Sequence, residues 1–408
     1  MSHKTGSGYE QLVTKSQLYT QESPAKIKKD KHRLVIGIPK ESSHQENRIC
    51  LTPDAVAVLT ANDHEVIIET EAGQGSKFTD NEFSEAGAKI VYSAKEVFEA
   101  SLILKVEPIT NEELKLVKEG TTIISALQMG NLQLEHLNAI NSKKIISVAF
   151  EFIEDKVGGM PIVRSMSEIA GSSVILIAAE LLNSNLGGKG VIPGGITGIP
   201  PTKVVIIGAG TVAEYAARTG LGLGAQIQIY DNHLYKLRRI KHALDAQVFT
   251  STIDSNMLAK SLTDTDVVIG AMRPEKGRTK YVVTEEMVSS MQPGSVIIDV
   301  PIDQGGCIET SEMTTHNKPT FTKFDIIHYC VPNIASRVAR TATNAFSNIL
   351  TPIIIQAGEI GGIEEMIFNY RWFMNGVYTY KGSLTHPVVA RKFSIKYKDL
   401  NLFQAARF

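Results

Sequence analysis

Cysteine is scarce in this sequence. Cys50, Cys307 and Cys330 are the three cysteines among 408 residues, and they lie far apart along the chain. Disulfide-stabilised secreted domains have many cysteines, and zinc sites have ligands at short, fixed spacings. The scarcity speaks against both and suits a reducing cytoplasm. No pair of His, Asp or Glu residues has metal-ligand spacing either, so we expect no metal ion.

An excess of charge of either sign is also missing. Lys and Arg total 42 and Asp and Glu total 43, which gives a formal charge of −1. Nucleic-acid binding depends on clustered positive charge, so we expect no nucleic-acid partner. The longest apolar runs, near residues 170–182 and 349–356, are shorter than the ~20 residues of a membrane-spanning helix. We therefore expect no membrane association and a cytoplasmic location.

Residues 1–32 differ in composition from the rest of the chain. They are rich in Ser, Gln, Thr and Tyr and end in a cluster of lysines. Secretory signals contain an apolar segment, and this stretch has none. We interpret it as an N-terminal extension, either a mobile tail or a helix that packs on a neighbouring subunit.

Short β-rich runs alternate with helical patterns from residue 34 onward. The predicted strands are 34–38, 64–69, 101–106, 121–126, 203–207, 226–230, 266–271, 295–300 and 326–330. The predicted helices are 52–61, 112–118, 170–182, 216–223 and 285–291, and residues 187–201 form a Gly/Pro-rich loop. Such alternation is typical of α/β domains with mainly parallel sheets. The second series of strands fits a doubly wound sheet.

The most informative motif is Gly-x-Gly-x-x-Ala between a strand and a helix. It consists of Gly208, Ala209, Gly210, Thr211, Val212 and Ala213. The first glycine permits a tight turn, the second lets the backbone approach a pyrophosphate, and the alanine allows close helix–strand packing. Asp231 ends the next strand, where a carboxylate accepts hydrogen bonds from ribose hydroxyls. The pattern predicts NAD(H), a preference that the nearby Arg238 and Arg239 weaken slightly.

Ligands of doubly wound sheets lie beyond the carboxyl ends of the strands. The residues that follow strands 295–300 and 326–330 are therefore site candidates on topology alone. They are Asp299, Asp303, Gln304, Gly305, Gly306, Val331 and Asn333.

An ordered set of short stretches resembles the alanine dehydrogenase/pyridine nucleotide transhydrogenase family. The stretches are GIPKE (37–41), ENR (46–48), LTP (51–53), LKV (104–106), MSEIAG (166–171), GAGTVA (208–213), IDQGGC (302–307), TTH (314–316) and HYCV (328–331). The resemblance implies a Rossmann domain inserted into an α/β substrate domain, in a homo-oligomer that is often a hexamer. It places the substrate domain at residues 33–161 and 340–408 and the NAD-binding domain at 162–339, after the extension 1–32.

The resemblance also implies an activity, and IDQGGC favours the dehydrogenase branch. The implied reaction is the NAD-dependent, reversible oxidative deamination of L-alanine to pyruvate and ammonia. By resemblance, Arg48 and Lys105 bind the substrate, and Asp303 lies beside nicotinamide and substrate and relays protons. Asn333 hydrogen-bonds the nicotinamide amide or the substrate. The remaining matches to cofactor contacts are Ser167, Lys236 and Val331.

Gln128 departs from the family pattern. Alanine dehydrogenases usually have a catalytic histidine at this position, and a glutamine cannot exchange a proton near neutral pH. Removal of a general acid or base typically lowers the rate ~10²–10⁴-fold. Four alternatives stay open: Asp303 and Lys105 carry proton transfer alone, the substrate is another amino or imino acid, the protein is an NAD-binding oligomer with weak catalysis, or it is a transhydrogenase-type subunit with a membrane partner.

Overall fold

The structure, a computed structural model, describes residues 32–43, 45–273 and 281–405. The predicted N-terminal extension lies outside the described residues except for its last residue, His32. The described chain forms two α/β domains, each built on a mainly parallel sheet. The predicted fold class is confirmed.

Strands and helices alternate along the described chain. The strands are β1 Val35–Ile38, β2 Glu65–Glu69, β3 Lys89–Val91, β4 Leu102–Leu104, β5 Thr122–Ser125, β6 Ile146–Ala149, β7 Lys203–Ile207, β8 Gln226–Tyr230, β9 Phe249–Ser251, β10 Val267–Gly270, β11 Val296–Asp299, β12 Thr320–Lys323, β13 Ile326–Tyr329, β14 Val377–Tyr380 and β15 Ser383–Leu384. The helices are α1 Pro53–Ala61, α2 Asp80–Glu85, α3 Ala94–Val97, α4 Asn111–Leu116, α5 Leu134–Ser142, α6 Pro161–Leu181, α7 Thr211–Gly222, α8 Leu234–Leu244, α9 Ser255–Leu262, α10 Glu285–Ser289, α11 Ala339–Ile360, α12 Ile363–Asn369, α13 Arg371–Met374, α14 Pro387–Phe393 and α15 Leu400–Ala405. Every strand predicted from the sequence is present.

The first domain has an eight-stranded sheet in the order β15-β14-β6-β5-β4-β1-β2-β3. Strands β1 to β6 pair in parallel, whereas β14 pairs antiparallel with both β6 and β15. Because β14 and β15 come from near the end of the chain, this domain is assembled from two separate segments. That connectivity agrees with the predicted insertion, and the boundaries near residues 161 and 340 stay a prediction.

The central strands of this sheet are mainly apolar. Strands β4, β5 and β6 are buried at every residue, which is typical of a parallel sheet covered on both faces. Their β-branched and leucine side chains each gain about 1.5–3 kcal/mol from burial. The polar residues within these strands are small, namely Thr122, Ser125 and Ser147.

The second domain has a seven-stranded sheet in the order β12-β13-β11-β10-β7-β8-β9. Counted from β7, its parallel strands follow the Rossmann order 3-2-1-4-5-6, and β12 adds an antiparallel edge. The strand order reverses between β7 and β10, which pair directly. Dinucleotides bind at such a reversal.

Two long helices, α6 and α11, connect the domains and pack against each other. In α6, Ile162 belongs to the core of the first domain, whereas Val174 and Ile177 belong to that of the second. Helix α6 begins at Pro161, nine residues before its apolar stretch, because proline is favoured in the first turn of a helix. By length and composition α6 could cross a membrane, and 44% of the residues in its apolar window are buried inside the structure.

Candidate active site

Loops from both domains meet in one cleft at the carboxyl ends of their parallel strands. The Asn333 amide nitrogen donates to Glu46 Oε2 at 2.7 Å. A Cβ at Gly130 would lie 3.5 Å from the carbonyl oxygen of Asp303. The Asn333–Glu46 hydrogen bond and the close approach of Gly130 to Asp303 therefore bring the two domains together. The loops after β1, β5, β11 and β13 carry, in that order, Arg48, Gln128, Asp303 and Asn333.

Arg48 is held by a carboxylate from its own loop. Its Nε and Nη2 donate to Glu46 Oε1 and Oε2 at 2.7 and 2.5 Å, and its Nη1 donates to Met166 Sδ at 3.5 Å. The ring of Phe346 lies 5.7 Å from the guanidinium carbon. A guanidinium has five N–H donors, so two stay available for a ligand. Glu46 thus occupies the Nε–Nη2 edge of the guanidinium and leaves the Nη1–Nη2 edge for a further carboxylate.

Gln128 occupies a backbone conformation that is unusual for a residue with a side chain, at φ +46°. The carboxylate of Glu151 stabilises it by accepting the N–H groups of Leu127 and Gln128 at 2.8 and 3.0 Å. The Gln128 amide nitrogen donates to Glu107 Oε2 at 2.5 Å. The loop therefore presents an amide in the cleft with its N–H directed at a second carboxyl group.

The Lys105 side chain is fully buried and paired with two carboxylates, although it was predicted to bind substrate. Its side chain is 0% exposed, and its Nζ contacts Glu41 Oε2 at 3.0 Å and Glu113 Oε1 at 2.9 Å. Burial alone would lower the pKa of Lys105, but the two carboxylates outweigh burial and raise it. The lysine is therefore charged and paired, and its predicted contact with substrate stays a prediction.

The Asp303 loop is shaped by a buried carboxylate at the end of β11. Asp299 is fully buried and accepts the N–H groups of Cys307 and Ile308 at 3.1 and 3.2 Å. Burial raises the pKa of Asp299. Gly306 has φ +65°, and a Cβ there would collide with the Asp299 carboxylate. Asp299, a site candidate on topology, thus folds the loop, while Asp303 is exposed on it.

The turn between β7 and α7 leaves room for a phosphate. Gly208 has φ +112°, and a Cβ there would lie 2.6 Å from the Ala271 carbonyl oxygen. A Cβ at Gly210 would meet no described atom within 4 Å. Gly210 precedes the first turn of α7, whose N–H groups have no side-chain cap among the described contacts. Ala213 is fully buried against the sheet, so these residues fit a pyrophosphate at the helix N-terminus.

Asp231 contributes to the same turn from the end of β8. Its Oδ2 accepts the Ala209 N–H at 2.8 Å, and its Oδ1 accepts the N–H of His233 at 2.8 Å. The residue is 2% exposed. In this structure Asp231 therefore fixes the glycine-rich turn, and its predicted contact with ribose stays a prediction.

The other predicted cofactor residues lie on α6, after β13 and at the starts of α7 and α8, and their contacts with a cofactor stay predictions. Ser167 Oγ donates to Val163 O at 2.7 Å on α6, and Val331 is fully buried. Thr211, Val212 and Lys236 are partly exposed at the starts of α7 and α8.

Three residues at the site make contacts that the sequence did not predict. Arg239 Nη2 donates to the Ala209 carbonyl oxygen at 3.0 Å, Glu46 pairs with Arg48, and Glu107 contacts Gln128. Glu107 lies just beyond β4, so the strand-end rule could have included it.

Two family models match the chain. The model "Alanine dehydrogenase/PNT, N-terminal domain" matches residues 37–170, and "Alanine dehydrogenase/PNT, C-terminal domain" matches residues 174–387. The chain belongs to the alanine dehydrogenase/PNT family. The resemblance inferred from the short motifs is thereby confirmed.

Characterised members of the alanine dehydrogenase/PNT family are similar to the chain over most of its length. The alanine dehydrogenase of Methanococcus maripaludis is 39% identical over 89% of this chain and 98% of its own. That of Bacillus subtilis is 35% identical over 89% and 96%. Such relatives make this protein an enzyme of the amino-acid dehydrogenase class, and the family implies a pyridine nucleotide cofactor.

Solved structures of the family have the same fold. An L-alanine dehydrogenase superimposes with a TM-score of 0.83 at 33% identity, covering 88% of this chain and 99% of its own. A transhydrogenase from Sinorhizobium meliloti gives a TM-score of 0.73 at 25% identity, covering 87% and 99%. The two-domain arrangement is thus shared by both branches of the family.

Proposed function

We propose that this protein catalyses the NAD-dependent, reversible oxidative deamination of L-alanine to pyruvate and ammonia. The observation that carries the proposal is the cleft itself. The Arg48 guanidinium has N–H groups beyond those that bind Glu46 and Met166, and Glu46 itself accepts from Asn333 of the dinucleotide-binding domain. The names of the relatives support alanine as the substrate.

The substrate carboxylate is bound by Arg48. Glu46 occupies the Nε–Nη2 edge of the guanidinium, and an α-amino or α-keto carboxylate takes the remaining Nη N–H groups. Phe346 and Met166 lie against the same guanidinium. They provide an apolar surface beside it, which suits a small substrate such as alanine.

The cofactor is held by the β7–α7 turn, with NAD preferred because a carboxylate at Asp231 disfavours a 2′-phosphate. When bound, the nicotinamide supplies the hydride acceptor. Asn333 orients the nicotinamide amide or the substrate, and the exposed Asp303 orders water or relays protons at the cleft. Lys105 keeps its proposed part in substrate binding, next to the Glu41 carboxylate that it contacts.

The test is turnover in both directions with purified full-length protein. We expect NADH formation from L-alanine at alkaline pH, since the reaction releases protons, and NADH consumption with pyruvate and ammonium. NADP+ and D-alanine serve as controls and should react poorly. Absence of turnover in both directions by folded, NAD-binding protein would refute the proposal.

An Arg48→Lys variant tests the carboxylate contact. Lysine keeps the charge but loses the planar fork, so we expect the KM for pyruvate to rise about 10- to 100-fold, as for the loss of a charged hydrogen bond. NAD affinity, measured by calorimetry, should stay unchanged. A KM within twofold of wild type would contradict the assignment.

Gln128 favours one second candidate, an oxidoreductase acting on another amino or imino acid. A panel of amino and keto acids separates the two, because this alternative requires a substrate that exceeds alanine in kcat/KM. NAD binding without turnover of any panel member would instead identify a weakly catalytic NAD-binding oligomer. We also infer a cytoplasmic location, in keeping with three cysteines that are free and buried.

A further inference from the structure

Glu107 lies between two of the side chains that form the cleft. Its Oε2 accepts the amide N–H of Gln128 at 2.5 Å, and its Oε1 lies 4.0 Å from Arg48 Nη2. The Glu107 side chain is 19% exposed. It follows β4 closely, on the strand-end side where ligands bind. The carboxyl group is therefore fixed beside the substrate-binding guanidinium and still reaches the cleft.

The charges around Glu107 come from several elements. Glu41, Glu46 and Arg48 face it from the loop after β1. Burial, reinforced by the negative charge of Glu46, raises the pKa of Glu107 to about 7, although Arg48 acts in the opposite direction. Lys105 lies behind Glu41. A carboxyl group with this pKa is present in both protonation states at neutral pH, which suits a proton carrier.

Gln128 complements this carboxyl group. Its amide cannot carry a proton, but it donates to one Glu107 oxygen, and its own carbonyl oxygen accepts from the Asn131 amide at 3.3 Å. Both ends of the Gln128 amide are thus engaged. Gln128 fixes the position of the Glu107 carboxyl group by this hydrogen bond. The carboxyl group can exchange a proton, whereas the amide cannot.

We propose that Glu107 is a catalytic residue that exchanges a proton with the substrate oxygen, and that Gln128 is the positioning residue that holds it. This inference rests on the proposed alanine–pyruvate reaction. In the reductive direction, the lone pair of ammonia forms a bond to the keto carbon. The C=O π electrons move to oxygen, and this oxygen takes the proton of Glu107.

The oxidative direction reverses that step. The Glu107 carboxylate removes the hydroxyl proton of the carbinolamine, whose nitrogen is protonated. The C=O bond forms, the C–N bond breaks, and ammonia leaves with the electron pair. One proton therefore passes from Glu107 to the substrate oxygen in the reductive direction, and from that oxygen back to Glu107 in the oxidative direction.

The closing experiment compares Glu107→Gln with the matched change Glu119→Gln in full-length protein. Glu119 is a surface residue that pairs with Lys144, so its variant should behave as wild type. We expect Glu107→Gln to lower kcat for pyruvate amination ~10²–10⁴-fold and to abolish the limb of the pH profile near 7. NADH binding, followed by fluorescence, should persist.

A second readout does not depend on turnover. Infrared difference titration of the wild type should show a protonated-carboxyl band that disappears near pH 7 and is missing in Glu107→Gln. A band that titrates in both proteins, or in neither, overturns the proposal.

One other group near the cleft could produce a limb near neutral pH, namely His316, whose Nε2 lies 3.0 Å from Asn333 O. Loss of the limb in His316→Asn, with Glu107→Gln active within threefold of wild type, also overturns the assignment to Glu107 and leaves the proposed function intact. Failure of the proposed function is distinct, because the wild type itself would then not turn over.

Discussion

At the scale of single residues, Lys105 shows how this protein accommodates buried charge. Its ammonium is out of contact with solvent and lies between Glu41 and Glu113. Glu41 also accepts the backbone N–H of Val106 at 2.6 Å. The cation therefore joins the loop after β1 to the end of β4. Removing one partner of such a pair leaves the others buried and uncompensated.

A Lys105→Met substitution should therefore be strongly destabilising. We expect the free energy of unfolding to fall by about 3–5 kcal/mol, because two buried carboxylates lose their cation. Urea denaturation followed by circular dichroism measures the change. Lys115→Met is the matched control, since Lys115 pairs with Glu112 on the surface, and it should have little effect. Equal losses in the two variants would contradict this account.

Some site residues could be predicted from the sequence and others could not. Arg48 lies in a recognisable motif, and Asp303 and Asn333 follow strands that the sequence predicts. Glu46 lies two residues from Arg48 and pairs with it locally. Glu107 instead acquires its importance from proximity to Arg48 and Gln128, which depends on how β1, β4 and β5 lie side by side. No local pattern encodes that proximity.

At the scale of elements, the turn between β7 and α7 contains two glycines with different roles. Gly208 has a left-handed φ and packs against backbone atoms that follow β10, whereas Gly210 faces open space. Gly208 is needed for the turn to fold, and we propose that Gly210 leaves space for the bound cofactor. Substitution by alanine distinguishes them.

We expect Gly208→Ala to lower the free energy of unfolding by about 1–3 kcal/mol, because it adds backbone strain and a clash. Gly210→Ala should keep wild-type stability but bind NAD more weakly, since its methyl group enters the phosphate position. Thermal unfolding and calorimetric titration with NAD+ measure the two effects. Wild-type NAD affinity in Gly210→Ala would show that no pyrophosphate lies there.

The elements that the sequence predicts are the buried ones. Most central strands are apolar runs between turn residues, and the predicted bounds of β4 and β5 lie within two residues of those observed. The central strand β6 is the exception, because no predicted strand covers Ile146–Ala149. The strands at or near the sheet edges, β9, β12, β14 and β15, are short and carry polar residues such as Thr320 and Ser383. Their pairing depends on the sheet that they join, so their own pattern is weak.

At the scale of the whole molecule, an exposed apolar patch supports the expected homo-oligomer. Ile192, Ile196 and Ile199 lie on the Gly/Pro-rich loop 187–201 and are 59%, 62% and 58% exposed. Ile196 and Ile199 face each other across a short β-bridge. Clustered exposed isoleucines mark an interaction surface, and we propose that a second copy of this chain covers them.

An Ile196→Asp/Ile199→Asp double variant tests this proposal. We expect the wild type to have a mass that is a multiple of 44.5 kDa by light scattering, and the variant to dissociate toward smaller species. Val157→Asp is the control, because Val157 is an isolated residue that is 92% exposed. A monomeric wild type, or an unchanged mass in the double variant, would refute the proposed interface.

The chain of contacts from Asn333 through Glu46 to Arg48 has a thermodynamic consequence. The chain runs from the dinucleotide-binding domain to the guanidinium that we propose binds the substrate. A coenzyme that contacts Asn333 therefore changes the surroundings of Glu46, which is the counter-ion of Arg48. Thermodynamic linkage requires this effect to be reciprocal. If bound coenzyme changes the affinity for keto acid by a given factor, bound keto acid changes the affinity for coenzyme by the same factor. The coupling between the two ligands therefore depends on the contact between the Asn333 amide and the Glu46 carboxylate.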